Sequence, residues 1–465
     1  MNLINSERIK YINIASYLVL LLPISIIFSR FASDLVVVVL SIFFLLICKK
    51  NELLKNKIIL LASLFILFSV ISSLLSQNLL ISIKSSLLHF RFIFFLLMIS
   101  LIFIYSKRNF FKNFFYIFLI CYLVLLFDAT IQFIFKENIF GYIVEPINRV
   151  SSFFFDELIL GSYLSRFFPL IFFLYIFLKL KMNKYLIIYF LIHLYFVVFI
   201  SGERLSFFIL NIYYLLFIPP LFQKKITKLI FFILPIISFL FLVIISNNIG
   251  ARSSFNEIKS QSIKFNYTIC NQTMEQIKSN KVLNERWNYI PGNTFTKSMK
   301  ANGSDTQNYI PNCHPIIKIF GTDIYYIFSV MHFNHYLSAI EMFKNNKLLG
   351  IGPKNFRNLC KDEKYFLNEY SCSTHPHNYY IQLLSETGII GFGLFFSIYC
   401  LIFYLFLSNF FKDNNNYFLV KHVLISCFLI NFFPLFPSGN FFNNWNAIVY
   451  TLPLGFLVGL YRKEN

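Results

Sequence analysis

Apolar residues fall in long blocks along this chain, separated by short polar turns and by one long polar stretch, 247–378. A helix needs about 20 apolar residues to cross the roughly 30 Å hydrocarbon layer of a bilayer. Twelve blocks approach that length: 12–29, 33–48, 58–76, 86–105, 114–135, 157–178, 185–200, 205–222, 229–246, 387–408, 418–436 and 445–461. The expected fold is an all-α polytopic membrane protein of about twelve transmembrane helices, with one large, partly helical loop domain between the ninth and tenth. Hydrophobic residues make up 57% of the 465, and Phe alone occurs 63 times. A soluble core has no room for so much apolar surface, so composition excludes the soluble globular classes.

Lys and Arg orient the spans, because they stay preferentially on the cytoplasmic side. Alternate connections are basic: Lys49, Lys50, Lys55 and Lys57; Lys107, Arg108 and Lys112; Lys179, Lys181 and Lys184; Lys224, Lys225 and Lys228; and the tail Arg462 and Lys463. The intervening short loops carry mostly single cations such as Arg30, Lys84 and Arg149. Both termini are therefore expected in the cytoplasm and 247–378 outside it. The division that follows is nine helices over 1–246, a loop domain with a re-entering helix over 247–386, and three helices over 387–465. Much of the formal net charge of +20 is then a topology signal, and nucleic acid need not be invoked. The outer segment holds 15 Lys and Arg against 9 Asp and Glu, which suits an anionic ligand such as a lipid diphosphate, or simply a solvated basic surface. Met1–Lys10 is polar and basic and no small-residue cleavage site follows, so an uncleaved signal anchor is expected.

Within the outer segment, 256–315 is rich in Asn, Lys and Thr, with turns at Pro291-Gly292 and Asn302-Gly303. From about Tyr325 the spacing turns helical, and His332, Tyr336, Ala339, Ile340 and Phe343 share one face. Gly350-Ile-Gly-Pro353 breaks that helix, and a shorter amphipathic piece follows around 355–360. Cys270, Cys313, Cys360 and Cys372 all lie in this segment, an even number that suggests two disulfides in an oxidising compartment. Pairing Cys360 with Cys372 and Cys270 with Cys313 closes two local loops, the first stapling the residues just before His375. Four free thiols are the alternative.

The run Thr374-His-Pro-His-Asn-Tyr379 puts two imidazoles where the polar segment returns to a membrane helix. Pro376 disfavours helix at His375 and suits a first helical position, so His377 is expected in the first helical turn. The positive end of the helix dipole would keep its ring neutral, as a general base requires. The bland alternative is that His375 caps the helix and His377 hydrogen-bonds at the interface. Arg204, in Ser201-Gly-Glu-Arg204, is placed to fork onto phosphate oxygens, or else to snorkel to headgroups or pair with Glu203. Arg252, His332 and His335 form a third group; a metal pair is conceivable, but no third ligand lies at a convincing spacing and no metal is expected. Asp128, Arg166, His89 and Arg91 are costly within spans and suited to lining a cavity, with Asp128 pairing Arg166 across neighbouring helices.

Leu348-Leu-Gly-Ile-Gly-Pro-Lys-Asn-Phe356, His377-Asn-Tyr-Tyr-Ile-Gln382 and Glu386-Thr-Gly-Ile-Ile-Gly391 together resemble the O-antigen ligase and polymerase superfamily of bacterial membrane glycosyltransferases. The match covers roughly 325–393, and twelve spans with one large outer loop extend it to the whole chain. The resemblance implies a GT-C-like fold in the inner membrane, with the loop domain periplasmic. It implies inverting transfer, without metal or other cofactor, of a glycan from undecaprenyl diphosphate to a hydroxyl of lipid A–core or of a glycan, beside membrane lipids. The family's catalytic histidine falls on His377, its membrane-face arginine on Arg204, and a second arginine on Arg252. Glu386, inside the third motif, stands with His375 and His335 as a secondary candidate. One departure matters: relatives carry arginine where this chain has His332, which leaves a weaker or pH-dependent phosphate contact or none. An O-antigen ligase is the leading reading. A polymerase or protein O-glycosyltransferase remains open, and a lipid-linked sugar transporter or flippase is the reading of another class. A transporter would show internal repeats and interrupted helices, and neither is visible here.

Overall fold

A computed structural model describes residues 2–48, 56–143, 149–217, 318–319, 322–323, 330–362, 364–366, 371–411 and 418–464. Among them the first ten α-helices are α1 (Asn2–Val19), α2 (Leu22–Phe28), α3 (Arg30–Ile47), α4 (Lys57–Leu74), α5 (Leu79–Leu87), α6 (Phe90–Tyr105), α7 (Arg108–Phe135), α8 (Leu160–Phe177), α9 (Lys184–Ile200) and α10 (Arg204–Phe217). Five follow: α11 (Val330–Asn345), α12 (Phe356–Leu359), α13 (Tyr379–Phe411), α14 (Phe418–Asn431) and α15 (Asn444–Glu464). The strands among the described residues are a two-residue antiparallel pair, Lys318–Ile319 with Thr322–Asp323.

Helices coincide with eleven of the twelve expected blocks, and the ninth, 229–246, lies outside the described residues. Six are long and apolar enough to cross a membrane, and the α1–α2 pair, bent by 41°, would make a seventh. α10 and α14 are apolar but have 14 residues each. Among the described residues six helices, or seven with the bent pair, meet that requirement.

Polar side chains set the helix starts. Ser29 accepts from the Ala32 amide at 3.1 Å, Asn56 from Ile58 at 2.9 Å and Asn183 from Tyr185 at 2.9 Å, each satisfying an amide left open by the first turn. Leu, Ile and Phe side chains point outward along the spans, Leu46 and Phe135 being 63% and 69% exposed, as lipid-facing residues should be. Other Phe, Leu and Ile side chains fill the core between the helices, and small residues mark the closest approaches. Ser73, Ser82 and Ser86, all fully buried, join their hydroxyls at 2.8 and 3.0 Å between α4 and α5. α15 meets α6 through Gly455 and Gly459. A Cβ on the first would lie 2.7 Å from Ile99 Cβ, and on the second 2.7 Å from Phe103 Cβ. Two glycines four residues apart thus let the backbones approach closely, which is how helices associate where lipid removes the hydrophobic drive.

The expected Asp128–Arg166 pair does not form. Asp128 instead accepts from the Ile139 amide at 2.9 Å and from the Ser152 hydroxyl, tying α7 to the turn after it. Arg166 donates to Asn431 Oδ1 on α14 at 2.6 Å. Arg91 pairs with Asp34 at 2.7 Å, and His89 meets the Tyr450 hydroxyl at 3.2 Å. Arg166, Arg91 and His89 thus tie neighbouring parts of the bundle together, while Asp128 fixes the turn that follows its own helix. Gly455→Leu should destabilise the protein by about 1–3 kcal/mol through overpacking. Thermal unfolding in detergent checks this against Gly393→Leu, which has open space around its added side chain and should behave like wild type.

Candidate functional site

The second half of the long polar segment builds a small core of its own. Ala339 and Met342 from α11, Ile351, Phe356, Leu359, Cys360 and Tyr365 pack together, with Ile381 of α13 against them. Cys360 is bonded to Cys372 with 5.2 Å between Cα atoms, so α12 is stapled to the strip that precedes the histidines. Cys270, Cys313 and Arg252 lie outside the described residues.

Two glycine-containing motifs clasp each other by main chain. Gly350 (φ 70°) and Gly352 (φ 90°) take left-handed conformations that suit glycine. A left-handed residue, Gly388 (φ 65°), also interrupts α13. That break exposes carbonyls that a continuous helix would use internally. The Ile351 amide donates to Ser385 O at 3.0 Å, Gly352 to Glu386 O at 2.9 Å, and Ile389 to Lys347 O at 2.8 Å. A side chain at Gly388 would collide with the Leu348 carbonyl, and one at Gly350 would come within 2.5 Å of the Glu386 carbonyl carbon. Ser72 of α4 adds its hydroxyl, 2.5 Å from Leu349 O and 3.1 Å from Glu386 O.

Above this clasp four imidazoles gather. The ring centroid of His377 lies 4.0 Å from His375, 4.9 Å from His332 and 5.3 Å from His335. His377 Nε2 is 3.0 Å from the Ser373 hydroxyl. The expectation that His377 occupies the first helical turn is corrected. α13 starts at Tyr379, and Asn378 is its cap, accepting from Tyr380 and Ile381 at 3.0 and 3.1 Å. Asn378 outcompetes Pro376 for that role because its side chain satisfies two amides, whereas proline only omits one. His377 is left just before the cap in a left-handed conformation (φ 60°) that non-glycine residues seldom adopt.

The loop between α14 and α15 holds that conformation. The Ser438 amide donates to His377 O at 2.8 Å, and Ser438 O lies 3.1 Å from His375 Nε2. Asn378 Nδ2 donates to Pro434 O at 2.7 Å, and the Tyr380 hydroxyl to Phe432 O at 2.6 Å. Gln382 bridges to Asn440 Oδ1 at 3.1 Å and accepts from the Phe441 amide at 2.9 Å. Sequence reading missed this loop: it carries no titratable group and sits more than fifty residues beyond the histidines. Its Pro and Gly content, in Phe433-Pro-Leu-Phe-Pro-Ser-Gly439, is the signal of an ordered turn that was there to be used.

Burial is the main reason the rings are neutral. It pushes His377 far below the ordinary imidazole range, and the neighbouring histidines lower it further. Burial likewise takes His375 to about 4, against a hydrogen bond to the Ser438 main chain, with His335 and Arg357 adding to the depression. His335 falls to about 4 and His332 falls as well, again through burial first. The neutral ring expected from a helix dipole is thus produced by desolvation and like-charge crowding. Among the described residues no three His, Cys, Asp or Glu side chains are arranged to hold a metal ion.

The remaining candidates separate. Glu386 is fully buried, 2.9 Å from Gln382 Nε2 and 3.4 Å from the Phe356 amide, so it braces the start of α12. Glu203 braces a neighbouring helix start. It accepts from the Gly161 and Ser162 amides at 2.7 and 2.9 Å, opening α8. Arg204 begins α10, exposed, one turn before Phe208, whose ring stacks edge-on to Phe436 at 5.6 Å. Phe436 belongs to the same loop that holds Asn378. Arg357 is exposed on α12 and its charge reaches His375, a cation that sequence reading passed over.

Residues 328–396 match a protein family described as O-antigen ligase. The matched stretch contains the clasp and all four histidines, while Arg204 and the Ser438 loop lie outside it. Members of that family are glycosyltransferase-like enzymes, and the apolar helices agree with a membrane protein. No curated protein matches the chain.

The depressed imidazoles fix the sign of a pH effect. His335 and His375 titrate near 4 when folded against 6.5 unfolded, so the unfolded chain binds more protons between those values. Their contribution to stability is complete above 6.5 and is lost as pH falls toward 4. The unfolding temperature in detergent should drop on acidification through that window, and His335→Gln should flatten the slope.

Proposed function

We propose that this chain transfers a glycan from undecaprenyl diphosphate to an acceptor hydroxyl, acting as an O-antigen ligase on lipid A–core. The observation that carries the proposal is His377: a neutral imidazole, held in a strained backbone conformation, with a hydroxyl already 3.0 Å from Nε2. Ser373 supplies that hydroxyl here. An acceptor alcohol in its place would give its proton to Nε2 while its oxygen attacks the anomeric carbon. The bond from that carbon to the diphosphate oxygen breaks, the diphosphate leaves with the electron pair, and the configuration at carbon inverts. General-base help of this kind is worth about 10²–10⁴-fold.

The leaving group needs its charge neutralised, and fixed cations do so without rearrangement. Arg204 is assigned this role because α10 docks through Phe208 on the loop that holds the histidines. Arg357 joins it from α12, and Arg252 is retained from the family resemblance. In this reading both termini lie in the cytoplasm of a bacterium and the histidines face the periplasm. The polyprenyl tail stays in lipid while its head reaches the cluster, and no metal takes part.

Lipopolysaccharide gels test the assignment. His377→Ala should abolish attachment of long chains to an intact core with membrane abundance unchanged; persistent attachment refutes the base. Single-unit caps in place of missing long bands would identify a polymerase instead. Arg204→Lys should impair transfer by about tenfold or more if the bidentate fork matters, whereas a snorkelling role would tolerate lysine.

A further inference from the structure

Three cations from distant parts of the chain converge at the other end of the helix bundle. Arg108 opens α7, Lys179 lies just beyond α8, and Lys463 sits in the last turn of α15. They line one cavity of about 480 Å³ whose apolar wall is Phe111, Phe177 and Leu178. Ser106 lines it too, with a buried hydroxyl oxygen that has no hydrogen-bond partner in the protein. No Asp or Glu is among the lining residues.

This cavity is separate from the histidine site. α15 begins where the Ser438 loop ends and runs 21 residues to the cavity. At 1.5 Å per residue that is about 30 Å, the thickness of the hydrocarbon layer. The two sites therefore face opposite sides of the membrane.

Positive residues at span ends are expected from topology alone, but topology does not require three of them around one hollow. Like charges facing a shared cavity repel, and an anion between them removes that cost. Arg108 is also prearranged: Nη2 donates to Leu178 O at 2.7 Å, fixing the guanidinium across the end of α8. Guanidinium has five N–H donors in a fork that matches phosphate oxygens. Lys463 Nζ is 5.9 Å from the Phe103 ring, which holds the ammonium near the bundle. A free phosphate ion would use the cations and leave the aromatic wall unused. A phosphate attached to glycerol and acyl chains uses both. Basic pockets between transmembrane helices take such headgroups.

We propose that this cavity binds the phosphate headgroup of an anionic phospholipid in the leaflet opposite the histidine site. Full-length protein purified in neutral detergent would be titrated with phosphatidylglycerol, phosphatidylcholine or inorganic phosphate, following thermal unfolding and native mass spectra. Phosphatidylglycerol alone should raise the unfolding temperature and remain bound. Arg108→Gln, Lys179→Gln and Lys463→Gln combined should weaken that binding about tenfold or more. Lys10→Gln with Lys57→Gln, which removes charges that do not line the cavity, should leave it unchanged. Equal binding of phosphatidylcholine, full reproduction by inorganic phosphate, or a triple variant that binds like wild type would each overturn the proposal. Should the triple variant not purify, Lys463→Gln alone decides, weaker binding supporting the site and unchanged binding overturning it. His377→Ala should bind phosphatidylglycerol normally, so a failure here is distinguishable from a failure of the proposed reaction.

Discussion

Two stretches of main chain hold the site in place by donating amides to carbonyls that a helix would otherwise keep for itself. The left-handed turn at Gly388 releases Ser385 O and Glu386 O, and the amides of Ile351 and Gly352 take them. Buried backbone groups must be paired, so neither strip is satisfied without the other. The small core of α11, α12 and Ile381 then packs on this clasp. His332 and His335 come from α11, and His375 and His377 from the strip leading into α13, so the clasp sets the distance between the two halves of the cluster.

Neutrality of the cluster follows from that packing. Four imidazoles gathered around His377, with the other three rings 4.0 to 5.3 Å from its own, cannot all carry charge in a half-buried site. His377 also bears backbone strain, and the restraints on it come from elsewhere in the chain: the Ser438 amide, the Asn378 cap and the α14–α15 loop. α15 delivers that loop, and its two glycines fix it against α6. A chain of close backbone contacts thus runs from the middle of the helix bundle to the histidine that the proposed chemistry uses.

Much of this was legible in the residues. Apolar blocks located the helices, and the motifs Leu348–Phe356, His377–Gln382 and Glu386–Gly391 marked the domain that the family match covers. Three features were not legible. Asn378 as cap and His377 in a left-handed conformation depend on a loop remote in sequence, which local propensity does not see. Asp128 and Arg166 found partners other than each other, because geometry at a helix end decides between several polar groups of similar reach. Glu386 stands among the chemical candidates by its motif, and its contact with the Phe356 amide at the start of α12 comes from tertiary packing that a local pattern does not carry.

The most direct test of the clasp is Gly388→Ala, followed by hydrogen exchange of peptides spanning 347–356 and 382–392 together with glycan attachment in cells. Wild-type protein should protect the Ile351, Gly352 and Ile389 amides strongly, and the variant should lose both that protection and attachment while still reaching the membrane. Unchanged protection and attachment in Gly388→Ala would contradict it.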